Sequence, residues 1–89
     1  MKAIVTVVGK DRVGIIAGVC VKLAQYNINV LDISQTVMQG HFTMMMAVEV
    51  GDSSIPLAEL AARMEEVGKE MGLSIRVQRE DIFEAMHRI

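Results

Sequence analysis

Gly9-Lys10-Asp11-Arg12-Val13-Gly14-Ile15-Ile16 places an acid, two bases and two glycines within one short stretch. An apolar run, Ala3 to Val8, precedes it, and an amphipathic run ending near Asn27 follows. A strand therefore passes into a helix here. A helix start has backbone N–H groups without intrahelical partners and carries the positive end of the dipole, which suits an anion such as a carboxylate. The expected donors are the N–H groups of Val13, Gly14 and Ile15. Asp11 either faces an ammonium group or simply caps the helix. Arg12 is a solvated loop cation unless a carboxylate-bearing ligand recruits it. Gly14, lacking a side chain, admits either a ligand or a closely packed strand. Asn29, further on, donates and accepts at once, toward a ligand or toward its own turn.

The remaining chemistry-bearing side chains are isolated. A single cysteine, Cys20, excludes an internal disulfide and a multi-cysteine metal site. It falls on an apolar helical stripe, where a cysteine serves as a small core residue. His41 and His87 lack metal-ligand company, so neither a metal nor a cofactor is expected. The Met44-Met45-Met46 run alternates faces in a strand and reads as core on one side and interface on the other. No nucleophile–base pair appears, and the expectation is a protein that is not an enzyme.

Composition narrows the partners. Nine Lys and Arg against eleven Asp and Glu leave a net charge of −2, with no basic stripe for phosphates. Aromatics are 3% of the chain, too few for a base-stacking platform, so no nucleic acid is expected. Apolar stretches fall far short of the ~20 residues of a membrane span, and no signal peptide is visible. The expectation is a cytoplasmic protein without membrane contact. Eighty-nine residues make one domain, 1–89, with the tail 80–89 as an appended helix. A chain of this size buries only about 60–65% of its unfolded surface, which favours pairing with a second copy.

The elements that must position the loop follow from periodicity. Ala3 to Val8 is β-branched and short, a strand. Ile16, Val19, Cys20, Leu23 and Ala24 form a helical stripe. Ile28 to Met38 is a second strand, with Leu31, Ile33 and Val37 on one side and Asp32, Ser34 and Thr36 on the other. Gln39-Gly40 is a tight turn into a third strand, His41 to Val50, in which Phe42, Met44, Met46 and Val48 share a face. Serines before Pro56 start a second helix, with Pro56 in its first turn. Its apolar side is Leu57, Leu60, Ala61, Met64, Val67, Gly68 and Met71, and Gly72 ends it. Leu73 to Gln78 alternates as a fourth strand. Asp81-Ile82-Phe83-Glu84 resembles a capping box opening a tail helix, with Ile82, Phe83, Met86 and Ile89 apolar.

The order predicts an α+β, ferredoxin-like βαββαβ sandwich: a four-stranded antiparallel sheet, two helices on one face, and a short C-terminal helix. The other face is expected to carry Ile4, Thr6, Val30, Asp32, Ser34, Thr36, Thr43, Met45, Ala47, Arg76 and Gln78. It is mixed rather than polar, so a partner covers part of it.

Unrelated functions share this fold, so the residues must decide among them. An RNA-recognition module needs aromatics on the central strands, where only Phe42 stands, facing the core. A copper chaperone needs a C-x-x-C in the first loop. An acylphosphatase needs a phosphate cradle that Arg12 alone does not make. Residues 9–17 instead resemble the D-R-x-G-[IL] loop of the ACT domain family, and Asn27-Ile28-Asn29-Val30 resembles its N-I entry to the second strand. Element order and length match it across residues 1–80. The tail resembles small stand-alone ACT proteins of bacteria and archaea. The resemblance implies a regulatory domain binding an amino acid or other small metabolite between two copies, at Asp11, Val13, Gly14, Ile15 and Asn29. Val13 stands where many members have proline, and Gly9 where amino-acid-binding dehydrogenase versions have histidine. The expectation is a homodimer that senses a small-molecule ligand and signals to an unknown effector protein. The alternative is a ligand-free interaction module of the same fold.

Overall fold

The computed structural model describes residues 1–86; His87 and Ile89, read above as an isolated histidine and part of the tail's apolar side, lie outside the described residues, as does the side chain of Met86. The elements are β1 (Lys2–Lys10), α1 (Ile15–Gln25), β2 (Asn29–Met38), β3 (His41–Glu49), α2 (Leu57–Met71), β4 (Leu73–Arg79) and α3 (Glu80–Met86). The sheet order is β2-β3-β1-β4, with every neighbouring pair antiparallel. This is the ferredoxin-like arrangement expected from the sequence.

Alternation sets the layers. Ala3, Val5 and Val7 of β1 and Met44, Met46 and Val48 of β3 are fully buried. They join Val19 and Leu23 of α1 and Leu60 and Met64 of α2 in one apolar cluster, which places both helices on the same side of the sheet. The β2–β3 turn places Gln39 at φ 51° and Gly40 at φ 81°. Two successive positive φ values match the right-handed twist of a hairpin. Gly72 ends α2 at φ 71°, as expected. α2 approaches β4 so closely at Gly68 that an added Cβ would lie 2.7 Å from the Leu73 carbonyl oxygen.

The structure corrects four local readings. The register slips between Val30 and Asp32, so Val30 pairs with Val48 while Ile33 pairs with Met46. A bulge at Leu31 thus turns Val30 to the helix side, where it is half-buried against the core, and not to the open face. The inward stripe of α1 is Ile15, Val19 and Leu23; Cys20 is half-buried, while Ile16 and Ala24 are exposed. Pro56 immediately precedes α2 instead of lying in its first turn. α3 continues directly from β4, and Asp81 lies inside its first turn, not at a cap. Arg79 grips the Asp81 carboxylate through Nε at 3.1 Å and Nη2 at 2.9 Å. Phe83 is half-buried as α3 rests against β1 and β4, whereas Ile82 is exposed.

Candidate functional site

The β1–α1 loop is held at three points. Its first residue, Asp11, donates its backbone N–H to the Gly40 carbonyl at 2.8 Å, tying the loop to the β2–β3 turn. Gly14 stands at φ 92° as the residue before α1. The left-handed region costs an L-residue roughly 1–2 kcal/mol, so glycine belongs there. An added Cβ would meet nothing within 4 Å, so the glycine serves the backbone turn and not a tight packing contact. The Arg12 guanidinium donates to the Met71 carbonyl at the end of α2. A cation there satisfies a free carbonyl and the negative end of the helix dipole. Arg12 is thus an exposed loop cation with one tie, to the end of α2.

Asp11 does not cap α1. The helix begins four residues later, and no side chain bonds its first turn. The Asp11 carboxylate is exposed, with no hydrogen bond among the described residues. Val13 is fully exposed. Ile15 sends its side chain into the core, 2% exposed, so its backbone alone faces the loop. The first intrahelical bond runs from the Gly18 N–H to the Gly14 carbonyl at 2.9 Å. The N–H groups of Ile15, Ile16 and Ala17 therefore precede the helical ladder and keep their donor capacity. This donor set lies two residues further along than the sequence indicated, because the helix starts later.

These donors border an open cleft of about 260 Å³ between the loop, the first turn of α1, and Gln35 and Val37 of β2, with Phe42 at its floor. The sequence reading missed Gln35 and Val37 as lining residues. Parity carried the signal: Gln35 shares a face with Ile33 and Val37, a polar residue within an apolar row. A larger cleft, about 520 Å³, runs between α2 and the outer edge of β4. It contains no helix start and no positive-φ turn, so the loop cleft has the better-defined chemistry for an anion.

Asn29 is elsewhere. It opens β2 and pairs with Glu49, whose other neighbour is Lys2. The loop leaves β1 at Lys10, eight strand positions away, or roughly 26 Å. Within one chain the structure does not bring Asn29 together with residues 11–15. It lines a second cleft of about 290 Å³ with Asn27, Glu49 and Asp52. Beside it, the Met1 ammonium donates to Glu49 Oε2 at 2.7 Å and the Gly51 N–H does so at 3.0 Å. Both hold the Glu49 carboxyl below the usual carboxylate range.

Among the described residues no group of three or more His, Cys, Asp or Glu side chains is placed to hold a metal ion. No described helix is long and apolar enough to cross a membrane.

The family model for the ACT domain matches residues 2–78. The chain belongs to the ACT domain family. Its ACT domain is 52% identical to a UPF0237 protein of Bifidobacterium longum over 88 residues, covering 99% of this chain and 98% of that one. A UPF0237 protein of Clostridium acetobutylicum is 51% identical over the full length of both. The solved ACT domain protein from Streptococcus pneumoniae superposes with a TM-score of 0.83 at 46% identity and covers 98% of each chain. A formyltetrahydrofolate deformylase from Pseudomonas syringae shares the ACT fold, with a TM-score of 0.79 at 22% identity over 27% of its own chain. ACT domains are generally regulatory rather than catalytic, and the present one has that regulatory fold.

Proposed function

We propose that this ACT domain is a homodimeric, non-catalytic, cytoplasmic sensor of a small metabolite, of the amino-acid class, that passes its bound state to an effector protein. The observation that carries the reading is the loop cleft. Ile15, Ile16 and Ala17, whose N–H groups precede the helical ladder, line it together with Arg12, a donor set suited to a carboxylate. Asp11 supplies an exposed acid for an ammonium group.

The cleft opens along β2, an edge strand of the sheet. Leu31, Ile33, Val37 and Met38 are all more than 40% exposed along that edge. A long apolar edge is a template for pairing with another chain. Two β2 strands joined antiparallel across a two-fold axis run past each other head to tail. The start of one then lies near the loop end of the other. In that assembly the partner's Asn29 approaches Asp11 to Ala17, and the site is completed by the second copy.

Thermal denaturation with individual amino acids and common metabolites tests the reading. A ligand at a hundred times its dissociation constant stabilises the folded state by about 2.7 kcal/mol. The expected result is a rise in melting temperature with at least one amino acid, lost in the Asn29→Ala variant. If no compound in either set shifts the transition, the ligand-free interaction module takes its place. The apolar outer surface of α1, with Ile16 and Val21 exposed, is the feature that would then need a partner.

A further inference from the structure

β4 is the second edge of the sheet. At the two ends of β1, Asp11 donates to the Gly40 carbonyl at 2.8 Å and Val50 donates to the Met1 carbonyl at 2.9 Å. Odd-numbered residues on β1 therefore bond with β3. Backbone groups alternate sides along a strand, so Ile4, Thr6 and Val8 bond with their partners Gln78, Arg76 and Ser74 on β4. Leu73, Ile75 and Val77 then turn their N–H and C=O groups outward. α2 covers the first of these groups: a Cβ added at Gly68 would lie 2.7 Å from the Leu73 oxygen and 3.3 Å from the Ile75 nitrogen. The Ile75 carbonyl and both backbone groups of Val77 lie beyond that contact, along the cleft of about 520 Å³ between α2 and β4.

The two walls of that cleft differ. On the helix side Ala61, Glu65 and Lys69 follow at one-turn spacing, a small residue and one charge of each sign. On the other side stands Arg76, exposed on the sheet face turned away from the helices. Among the described residues Arg76 has no ion pair. The strand itself, LSIRVQR, contains no acid.

We propose that this edge takes an extended segment of a partner protein as a fifth strand, antiparallel to β4, with an apolar residue opposite Val77 and an acidic residue opposite Arg76. Main-chain bonds to a sheet edge supply affinity in such additions, and alternate side chains supply specificity. The residue opposite Val77 points to the helix side, where Ala61 leaves room. The next residue points to the other face and meets Arg76. A second copy of β4 does not fit this pattern. The antiparallel register centred on Arg76 sets two cations face to face, and registers shifted by two set Arg76 against Ser74 or Gln78. No register of LSIRVQR on itself offers an acid, so the complementary charge comes from a different segment. The surface is separate from the loop cleft and needs no small molecule there.

The experiment titrates the full chain with two synthetic peptides: Thr-Val-Glu-Val-Glu-Val-Thr, and the same peptide with lysine for glutamate. Fluorescence anisotropy of the labelled peptides measures affinity, and amide hydrogen exchange read by NMR locates it. In the free protein the Val77 amide should exchange fast and the Arg76 amide slowly. The glutamate peptide should bind about five-fold or more tightly than the lysine peptide and slow the Val77 amide. Arg76→Glu should reverse the order of the two peptides, and Arg76→Gln should bring them level; circular dichroism checks that both variants fold. No binding of the glutamate peptide, or a preference unchanged in both variants, overturns the proposal. So does protection confined to β2. A Val77 amide already slow in the free protein overturns it too, in favour of a second copy on this edge.

Discussion

The guanidinium of Arg12 and the carbonyl of Met71 join the start of one helix to the end of the other. The residues are 59 positions apart, yet the bond closes the loop before α1 onto the last turn of α2. Arg12 is also among the residues that line the cleft beside the first turn of α1. Under the proposed function, a carboxylate in the cleft competes with a backbone carbonyl for that side chain.

Replacing Arg12 tests that competition. Arg12→Gln removes a charge-assisted bond from an exposed site, and the loss of stability should be about 1 kcal/mol. Chemical denaturation checks it. Under the proposed function the same change weakens the thermal shift by an amino acid more than it lowers the melting temperature of the free protein. Equal effects on both would leave Arg12 as a structural tie alone.

Two glycines should respond for different reasons. Gly14→Ala puts a Cβ into open space at φ 92°, so the cost is the backbone alone, roughly 1–2 kcal/mol. Gly68→Ala drives a Cβ to 2.7 Å from the Leu73 oxygen on an adjoining strand, where neither backbone yields freely. Overpacking of this kind costs about 1–3 kcal/mol. Urea denaturation should rank Gly68→Ala below Gly14→Ala, with the Gly14 variant keeping a native circular dichroism spectrum. The reverse order would contradict the packing described for α2 and β4.

The β2 edge makes a prediction about mass. Ile33→Glu places like charges near the two-fold axis of the proposed pairing and should shift the protein toward smaller species in light scattering at micromolar concentration. Stability per chain should change by less than about 0.5 kcal/mol, because Ile33 is already 42% exposed. An unchanged mass would place the dimer contact elsewhere.

Acid should weaken the fold through two exposed carboxylates. The Met1 ammonium lowers the Glu49 pKa first, and the Gly51 N–H adds to it. Arg79 does the same for Asp81, with the Ile82 N–H contributing. A depressed carboxylate contributes stability that is present above its unfolded value, about pH 4, and lost as the pH falls through its lower folded value. The melting temperature should therefore fall below about pH 4. Asp81→Asn should flatten part of that fall while leaving the neutral-pH fold intact. A fall of identical size in the variant would assign the acid sensitivity to other groups.

The fold was legible where polar and apolar residues alternate without interruption. β3 and α2 each have one apolar and one polar side, and both came out in the expected phase. α1 did not, because IIAGVCVKLAQ is apolar almost all round and no polar face fixes its rotation. Ile15 therefore took the inward place that Ile16 was expected to hold. Val30 was misplaced because a bulge inserts one residue that simple parity does not count. In the site, the loop residues were recognisable from their types, whereas the cap at Asp11 was not realised because a positive-φ glycine delays the helix. Asn29 was matched by its spacing along the chain, which carries no information about which end of the sheet it occupies. Gln35 could be found only by asking why a polar residue sits in an apolar row.

Met44 and Met46 of β3 and Met64 of α2 are fully buried in one cluster. Methionine is unbranched and rotates about several bonds, so it refills a changing gap at little cost. The contact between sheet and helices is for this reason most adaptable where these three side chains meet. A small shift of α2 against the sheet can be taken up there by a change of methionine rotamer. Around them Val5, Val7, Val19 and Val48 are branched and stiff, so the give in the core is concentrated at the three methionines.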